Sequence, residues 1–254
     1  QDNMWICTLN NGIFCKKNDQ FINCKIPGNT CTWGLQDFNG RIIIAARESL
    51  LQFQNGTFSK IDITKSLHGS YDMLYLASDS TVWVGGANGI SSLKWNKPAY
   101  RQAGQKPVRK NYLIRSKNDF NVWGFCEDEK KNLYVGTYKA GLFKMENDSL
   151  INLSEKNKWG EENFFDIIYS RGKIFSATLN GLFIYDVASN SVSKITEEDG
   201  LNSELLYSLK LSNDGTYLWI GTNQGINKFN LKKYFESRDI EVTSFGKQEG
   251  FAGV

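Results

Sequence analysis

The chain has 254 residues, which is enough for one large all-β domain or two small ones. Its 13% aromatic content, 23 Gly and only 3 Pro favour many short strands joined by tight turns and argue against a helix-dominated fold. The formal net charge of +3 is too small for a dedicated nucleic-acid surface, and no apolar run reaches the length of a membrane span.

A short apolar strand that ends in a small residue recurs along the chain at intervals of 38 to 51 residues. The copies are Met4–Cys7, Ile42–Ala45, Val82–Gly85, Leu133–Gly136, Ile174–Ala177 and Leu218–Gly221. A few residues later each copy has Gly, or Ser49 in the second copy, followed by Ile or Leu. An interval of this length is typical of a four-stranded propeller blade.

In chain order the pattern predicts hairpins near 4–15, 42–53, 82–95, 133–145, 174–185 and 218–229. Apolar inner strands are predicted before them at 31–38, 71–77, 122–126, 164–169 and 205–211. More polar outer strands are predicted after them at 20–25, 58–63, 111–114, 150–153, 191–195 and 240–245. The central strands are apolar on both faces, as expected for strands between neighbouring blades, and the small residue lets adjacent sheets approach closely.

The predicted fold is therefore all-β, a β-propeller of four-stranded blades with six recognisable repeats. A stacked solenoid of the same period is the alternative, but its repeats would normally need helices or a single long face. Six copies are compatible with a six-bladed ring or with part of a seven-bladed ring.

The two ends of the sequence lead to an expectation about domain organisation. The first copy begins near Met4 at the second strand of a blade, and the segment after Phe245 parallels Ile195–Leu201 up to the point where a new inner strand would begin. We expect residues 1–245 to form the propeller and 246–254 to be the start of the next strand or a linker to a following domain. The chain is then a piece of a longer protein.

Four of the five cysteines lie within the first 31 residues, and His68 is the only histidine. No CxxC pair occurs, so the sequence predicts no zinc site. Cys15 and Cys24 flank a predicted turn, and this spacing is compatible with a cross-strand disulfide or with two buried thiols.

The stretch from Asp199–Asn202 through Leu218–Phe229 resembles the two-component-regulator propeller repeat, with further copies at Leu133–Phe143 and Val82–Ile90. This repeat is found in the sensor ectodomains of hybrid two-component systems, especially in gut Bacteroidetes. The family's ectodomains have two propellers and an immunoglobulin-like domain, followed by a membrane span, a cytoplasmic histidine kinase and a DNA-binding regulator.

The resemblance implies a periplasmic ectodomain of an inner-membrane sensor that detects glycan breakdown products and regulates carbohydrate-utilisation genes. The implied partners are an oligosaccharide ligand, a second copy of the full-length receptor, and the adjoining propeller and immunoglobulin-like domain. No cofactor and no nucleic-acid partner are implied for this segment.

The loops that enter inner strands and the loops of the central hairpins share one face of a propeller, the usual ligand face. Aromatic residues begin several predicted inner strands, Trp159 lies in the longer loop 154–162, and Arg47 and Tyr138 replace the usual hairpin residues. Aromatic rings with Arg or Asn beside them suit an oligosaccharide, whereas the alternative is that these rings belong to the inner-strand core. The candidate ligand-binding residues are Trp33, Arg47, Tyr71, Trp123, Tyr138, Trp159 and Asn163.

The sequence predicts no catalytic residue. A single histidine without a nucleophile motif argues against triad chemistry, and the carboxylates are spread along loops with no spacing that marks an acid–base pair. Carboxylates from different blades can still converge in space, so a propeller glycosidase or polysaccharide lyase is the alternative to a non-enzymatic sensor. A scaffold of WD repeats lacks support, since no Gly-His or Trp-Asp dipeptide occurs in any copy.

Overall fold

A computed structural model describes residues 4–8, 11–24, 26, 32–38, 41–46, 49–54, 57–61, 71–95, 107–114, 120–160 and 163–250. Within these ranges the side chains of residues 17, 32–38, 41 and 54 are not described. The candidate residue Arg47 lies outside the described residues, and for Trp33 only the backbone is described. The chain divides into two compact units, Gln1–Val122 and Trp123–Val254.

The first unit contains three sheets of neighbouring strands. The described residues form a three-stranded sheet β1–β3 (Trp5–Thr8, Gly12–Lys17, Gln20–Cys24), a four-stranded sheet β4–β7 (Thr32–Phe38, Arg41–Ala46, Ser49–Gln54, Thr57–Ile61) and a four-stranded sheet β8–β11 (Tyr71–Leu76, Val82–Gly86, Gly89–Lys94, Val108–Leu113).

The described residues of the second unit form three four-stranded sheets and two short helices. The sheets are β12–β15 (Asn121–Glu127, Leu133–Tyr138, Leu142–Glu146, Ser149–Asn152), β16–β19 (Asp166–Ser170, Lys173–Thr178, Gly181–Asp186, Ser191–Ile195) and β20–β23 (Leu206–Leu211, Tyr217–Thr222, Gly225–Asn230, Val242–Phe245). The helices are α1 (Leu153–Asn157) and α2 (Leu231–Ser237). Successive strands pair antiparallel within each sheet, so the fold is all-β and of the β-propeller class, as predicted.

The central strands β5 and β17 are buried on both faces, as their apolar pattern predicts. In β5, Ile43 packs in a cluster with residues of β8 and β9, whereas Ile44 packs in a different cluster with Ile13 of β2. In β17, Phe175 packs with residues of β20–β22, whereas Ile174 packs with residues of β13 and β14. Each of these two strands therefore joins two cores, one on either side of its sheet.

Glycines of the sheet β12–β15, including the small repeat residue Gly136, allow close contact with the next sheet. A Cβ atom added to Gly136 would lie 3.0 Å from Cγ2 of Ile167 and 3.1 Å from Cβ of Phe164. A Cβ atom added to Gly124 would lie 3.1 Å from Cγ1 of the same isoleucine. Ile167 of β16 thus fits against two glycines of the preceding sheet.

Two short helices lie beside predicted outer strands. Asn152 accepts a hydrogen bond of 3.0 Å from the backbone of Glu155, and Asn230 accepts one of 3.1 Å from the backbone of Lys233, so each asparagine caps a helix that starts at the next residue. The predicted outer strand 150–153 therefore ends at Asn152, where α1 begins. Helix α2 lies between the predicted hairpin 218–229 and the outer strand predicted at 240–245, which begins only at Val242. The outer strand predicted at 111–114 starts earlier, at Val108.

Two 3₁₀ turns confirm the parallel between the segments after Ile195 and after Phe245. In Glu197–Asp199, Oδ2 of Asp199 accepts from the backbone of Thr196 at 2.9 Å, and in Lys247–Glu249, Oε2 of Glu249 accepts from the backbone of Gly246 at 2.7 Å. Each segment ends in an acidic residue followed by glycine, Asp199-Gly200 or Glu249-Gly250, and both form the same type of turn.

The register of the first sheet bears on the proposed disulfide. Cys15 lies opposite Ile22, and Cys24 lies opposite Ile13, so the two cysteines are not direct cross-strand neighbours. Cys15 carries a free, buried thiol. The alternative of a buried thiol is therefore the one that the structure supports for this residue.

In the described part of the chain no helix has the length and apolar character needed to cross a membrane.

Candidate functional site

The segments that enter inner strands meet the central hairpins at one end of the sheets in the second unit. The backbone N–H of Phe164 donates to the carbonyl of Thr137 at 2.9 Å, and that of Gly181 donates to the carbonyl of Glu204 at 2.9 Å. Each entering segment thus lies on the hairpin of the preceding sheet. We call this end the hairpin face, and it is the face that the sequence analysis expected to carry a ligand.

Four aromatic side chains form a continuous group on the hairpin face, which we call the aromatic patch. The ring centroid of Trp123 lies 5.0 Å from that of Phe165 and 6.1 Å from that of Tyr138. Phe165 also lies 6.0 Å from Tyr138 and 5.6 Å from Tyr207. These separations are within the range of favourable aromatic pairs, so the rings support one another.

The patch is anchored on one side and open on the other. Phe165 is 8% exposed and belongs to the core between the last two sheets, with Trp123 and Tyr138 packed against that core. Tyr207 is 47% exposed, and its neighbour Leu205 is 36% exposed. An anchored group of rings with an exposed edge offers a flat apolar surface to a ligand at little cost in side-chain entropy.

A β-bulge places Tyr207 in this position. Leu206 pairs with Thr222 and Ser208 pairs with Gly221, so Tyr207 falls outside the regular register. A bulge leaves one residue unpaired and redirects its side chain, and bulges are common beside functional sites. Similar irregularities occur in the first unit between Thr32 and Gly34 and between Tyr71 and Met73.

Polar groups border the patch beside Tyr138. Lys139 has a φ of +69°, and its Nζ lies 4.9 Å from the centre of the Tyr138 ring. The backbone N–H of Lys139 donates a hydrogen bond of 3.1 Å to Oδ1 of Asn163. Asn163 therefore fixes the turn that carries both the tyrosine and an exposed ammonium group.

The structure brings together three of the seven sequence-predicted residues, Trp123, Tyr138 and Asn163. Trp159 lies elsewhere, with its ring 4.9 Å from Tyr185 and 5.6 Å from Phe183. Tyr71 is 4% exposed and packs in the core of the first unit.

Sequence reasoning missed Phe165 and Tyr207. The repeat itself held a signal, because each directly precedes the residue that pairs with the small residue of the central strand. Asp166 pairs with Ala177, and Ser208 pairs with Gly221. An alignment of the copies on this small residue would have found both aromatic positions.

A carboxyl group with a raised pKa lies next to the patch. Asp166 follows Phe165, and its Oδ2 accepts a hydrogen bond of 2.8 Å from the backbone of Leu209 in the inner strand of the next sheet. Burial raises the pKa of this carboxyl to about 6, although hydrogen bonds from the backbone of Leu209 and Ile167 and the charge of Lys210 oppose the increase. In the part of the chain that the structure describes, no group of three or more His, Cys, Asp or Glu residues could hold a metal ion.

Solved structures with a similar fold include proteins of three kinds. The chain is similar to the extracellular domain of a protein assigned to a hybrid two-component system of B. thetaiotaomicron, with a TM-score of 0.72 and 18% identity over 98% of this chain and 33% of that chain. It is similar to PorZ, a surface component of the type-IX secretion system of Porphyromonas gingivalis, with a TM-score of 0.70 and 15% identity over 90% of this chain and 37% of that chain. It is also similar to virginiamycin B lyase from Staphylococcus aureus, with a TM-score of 0.63 and 14% identity over 96% of this chain and 74% of that chain.

Because all three sequence identities are low, these similarities establish the fold alone. The chain spans about a third of the length of the first two proteins, at 33% and 37%. No protein-family model and no curated protein matches the sequence.

We expect Asp166→Asn to stabilise the protein above about pH 6, by about 1–2 kcal/mol, and to have no effect below about pH 4. The pKa of this carboxyl rises from 3.8 to about 6 on folding, so the wild-type protein loses stability as the pH increases through this window. Asparagine keeps the oxygen that accepts from Leu209 but does not ionise. Urea unfolding of both proteins across this pH range measures the difference.

Asp214→Asn is the matched control because its expected effect on stability at neutral pH has the opposite sign. Hydrogen bonds from Ser212 and Thr216 lower the pKa of Asp214 to about 2, so its ionised form favours the folded state at neutral pH. This variant should be less stable than wild type at neutral pH, and the difference should disappear as the pH falls through about 2. A stability difference for Asp166→Asn that does not change with pH would contradict a raised pKa of Asp166 in the folded protein.

Proposed function

We propose that this chain is part of the periplasmic sensor domain of a hybrid two-component histidine kinase and response regulator, and that it binds a glycan breakdown product without chemically changing it. The observation that carries the proposal is the aromatic patch, in which Trp123, Tyr138 and Phe165 support an exposed Tyr207 on the hairpin face. Sugar rings have flat C–H faces and a hydroxyl perimeter. They fit an apolar surface with polar groups at its edge, such as Asn163 and Lys139.

Two further points support a sensor. The sequence around Leu218–Phe229 resembles the propeller repeat of such ectodomains, and the fold is similar to the extracellular domain of a protein assigned to a two-component system. In the proposed full-length receptor the chain adjoins another propeller and an immunoglobulin-like domain, the receptor is a homodimer in the inner membrane, and ligand binding regulates carbohydrate-utilisation genes.

The proposal is tested by incubating the purified chain with a panel of plant and host glycan fragments. Calorimetry should detect binding of at least one fragment, and chromatography of the same mixture should recover that fragment unchanged. Binding accompanied by product formation would show an enzyme. Absence of binding across the panel would contradict recognition of a glycan fragment by this chain.

The second candidate function is a propeller glycosidase or polysaccharide lyase. It is favoured by the similarity of the fold to virginiamycin B lyase and by the raised pKa of Asp166 beside the patch. An enzyme of this kind predicts product formation that Asp166→Asn abolishes, whereas a sensor predicts no product from either protein.

A further inference from the structure

A polar cleft lies on the hairpin face of the last sheet, at the ends of β21 and β23. Its volume is about 410 Å³, which is within the range of small-ligand pockets. The residues that line it are Asn202, Asn223, Gln224, Ser244, Gly246, Lys247, Gln248 and Glu249.

The floor of the cleft is held by a fully buried asparagine, Asn227. Its Oδ1 accepts hydrogen bonds from the backbone of Asn202 at 3.1 Å and from Oγ of Ser244 at 2.7 Å. Its Nδ2 donates to Oδ1 of Asn202 at 2.8 Å. Two lining residues, Asn202 in the segment that enters β20 and Ser244 in β23, are therefore fixed by one buried amide, which pre-organises the floor.

One wall is the 3₁₀ turn Lys247–Glu249. Besides the bond from Gly246 to Glu249, the backbone N–H of Gly250 donates to the carbonyl of Lys247 at 3.1 Å. The side chains of Lys247 and Gln248 are exposed on this turn. The wall thus combines a fixed backbone with side chains that are free to meet a ligand.

The chemistry of the lining indicates the class of ligand. Asn223, Gln224 and Gln248 are exposed amides, and each has both donors and an acceptor. The formal charges of Lys247 and Glu249 cancel, and the lining has no aromatic or aliphatic side chain. An anion would need an excess of donors, whereas neighbouring hydroxyls of a neutral sugar both donate and accept, as these amides do.

The cleft and the aromatic patch are linked by the segment that enters β20. Asn202 lines the cleft, Tyr207 belongs to the patch, and between them the carbonyl of Leu205 accepts a hydrogen bond of 3.3 Å from the backbone of Asn223. We propose that the cleft is a hydrogen-bonding subsite for a neutral sugar residue of the oligosaccharide whose neighbouring residue stacks on the patch. This inference rests on the proposed function.

Nuclear magnetic resonance of the ¹⁵N-labelled chain tests the inference with cellotriose, xylotriose and maltotriose as probes, and with inorganic phosphate for comparison. We expect at least one sugar to shift the side-chain amide signals of Asn223, Gln224 and Gln248, with the same dissociation constant as a shift of the Trp123 indole N–H.

The other outcomes distinguish binding at the cleft from binding at the aromatic patch. A shift of the Trp123 signal alone overturns the subsite and leaves the proposed function standing. A shift of the amides alone supports the subsite and contradicts binding at the patch. Equal amide shifts with phosphate, or none with any sugar, overturn the subsite.

A triple substitution, Asn223→Ala with Gln224→Ala and Gln248→Ala, removes the exposed amides and leaves the Asn227 network intact. Loss of several hydrogen bonds should lower the affinity for the sugar that binds the cleft about tenfold. The matched control is Asn213→Ala, an exposed amide in the turn at the other end of β20 and β21, which should leave the affinity unchanged. Equal affinities of the triple variant and the control would overturn the inference.

Discussion

Gly181→Ala should destabilise the second unit by about 3 kcal/mol or more, because two separate costs add at this position. Gly181 has a φ of +89°, a left-handed conformation that alanine adopts at a cost of about 1–2 kcal/mol. An added Cβ would also lie 2.4 Å from the carbonyl oxygen of Ile195. This oxygen is backbone in the paired outer strand, so relief of the clash requires movement of β19 against β18.

Gly172→Ala separates the two costs. Gly172 has a φ of +82°, close to that of Gly181, but an added Cβ meets no atom within 4 Å. Chemical denaturation of both variants should show a loss of about 1–2 kcal/mol for Gly172→Ala and a distinctly larger loss for Gly181→Ala. Equal losses would mean that the hairpin glycine of the repeat is needed for its dihedral angles alone.

Gly136→Val should cost about 3 kcal/mol, since it forces apart two sheets that touch at this position. The added atoms would meet Ile167 and Phe164, which are 1% and 0% exposed and have no space to move into. We expect the unfolding midpoint in urea to fall without a change in the slope of the transition.

A double-mutant cycle with Ile167→Ala tests the cause of this loss. In the wild-type background Ile167→Ala creates a cavity and should cost about 2–5 kcal/mol. In the Gly136→Val background the same change makes room for the valine, so it should cost at least about 1 kcal/mol less. Additive effects would contradict direct contact, and Ser193→Val on the exposed outer strand β19 is the control for a valine without neighbours to displace.

The repeat and its strands could be predicted from the sequence because burial on both faces leaves a strong local signal. The central strand Ile42–Ala45, for example, is apolar throughout and ends in a small residue, and its last three residues are fully buried. The helices α1 and α2 were missed because they lie next to polar outer strands, where the hydrophobic pattern is weak. Their common signal is an Asn-Leu pair, in which the asparagine caps the helix and Leu153 or Leu231 is buried.

The candidate site was only partly predictable, because a bulge shifts the alternation of side chains by one residue. Tyr71 takes the register position before the bulge, as Leu206 does in the last sheet, and both are buried. Tyr207 takes the bulged position and is exposed. Trp123 and Tyr138 were proposed from two different cues, and only the pairing of strands places them in one patch. A sequence pattern of period two does not reveal where such a shift occurs.

The central claim, that an oligosaccharide binds on the aromatic patch, is tested most directly by calorimetric titration of Tyr207→Ala. The probe is the glycan fragment that binds the wild-type chain, and the control is Phe21→Ala, because Phe21 of the first unit is 49% exposed and Tyr207 is 47% exposed. Loss of the exposed stacking ring should raise Kd about tenfold to a hundredfold, while Phe21→Ala should leave Kd unchanged. An unchanged Kd for a folded Tyr207→Ala protein would contradict binding at the patch.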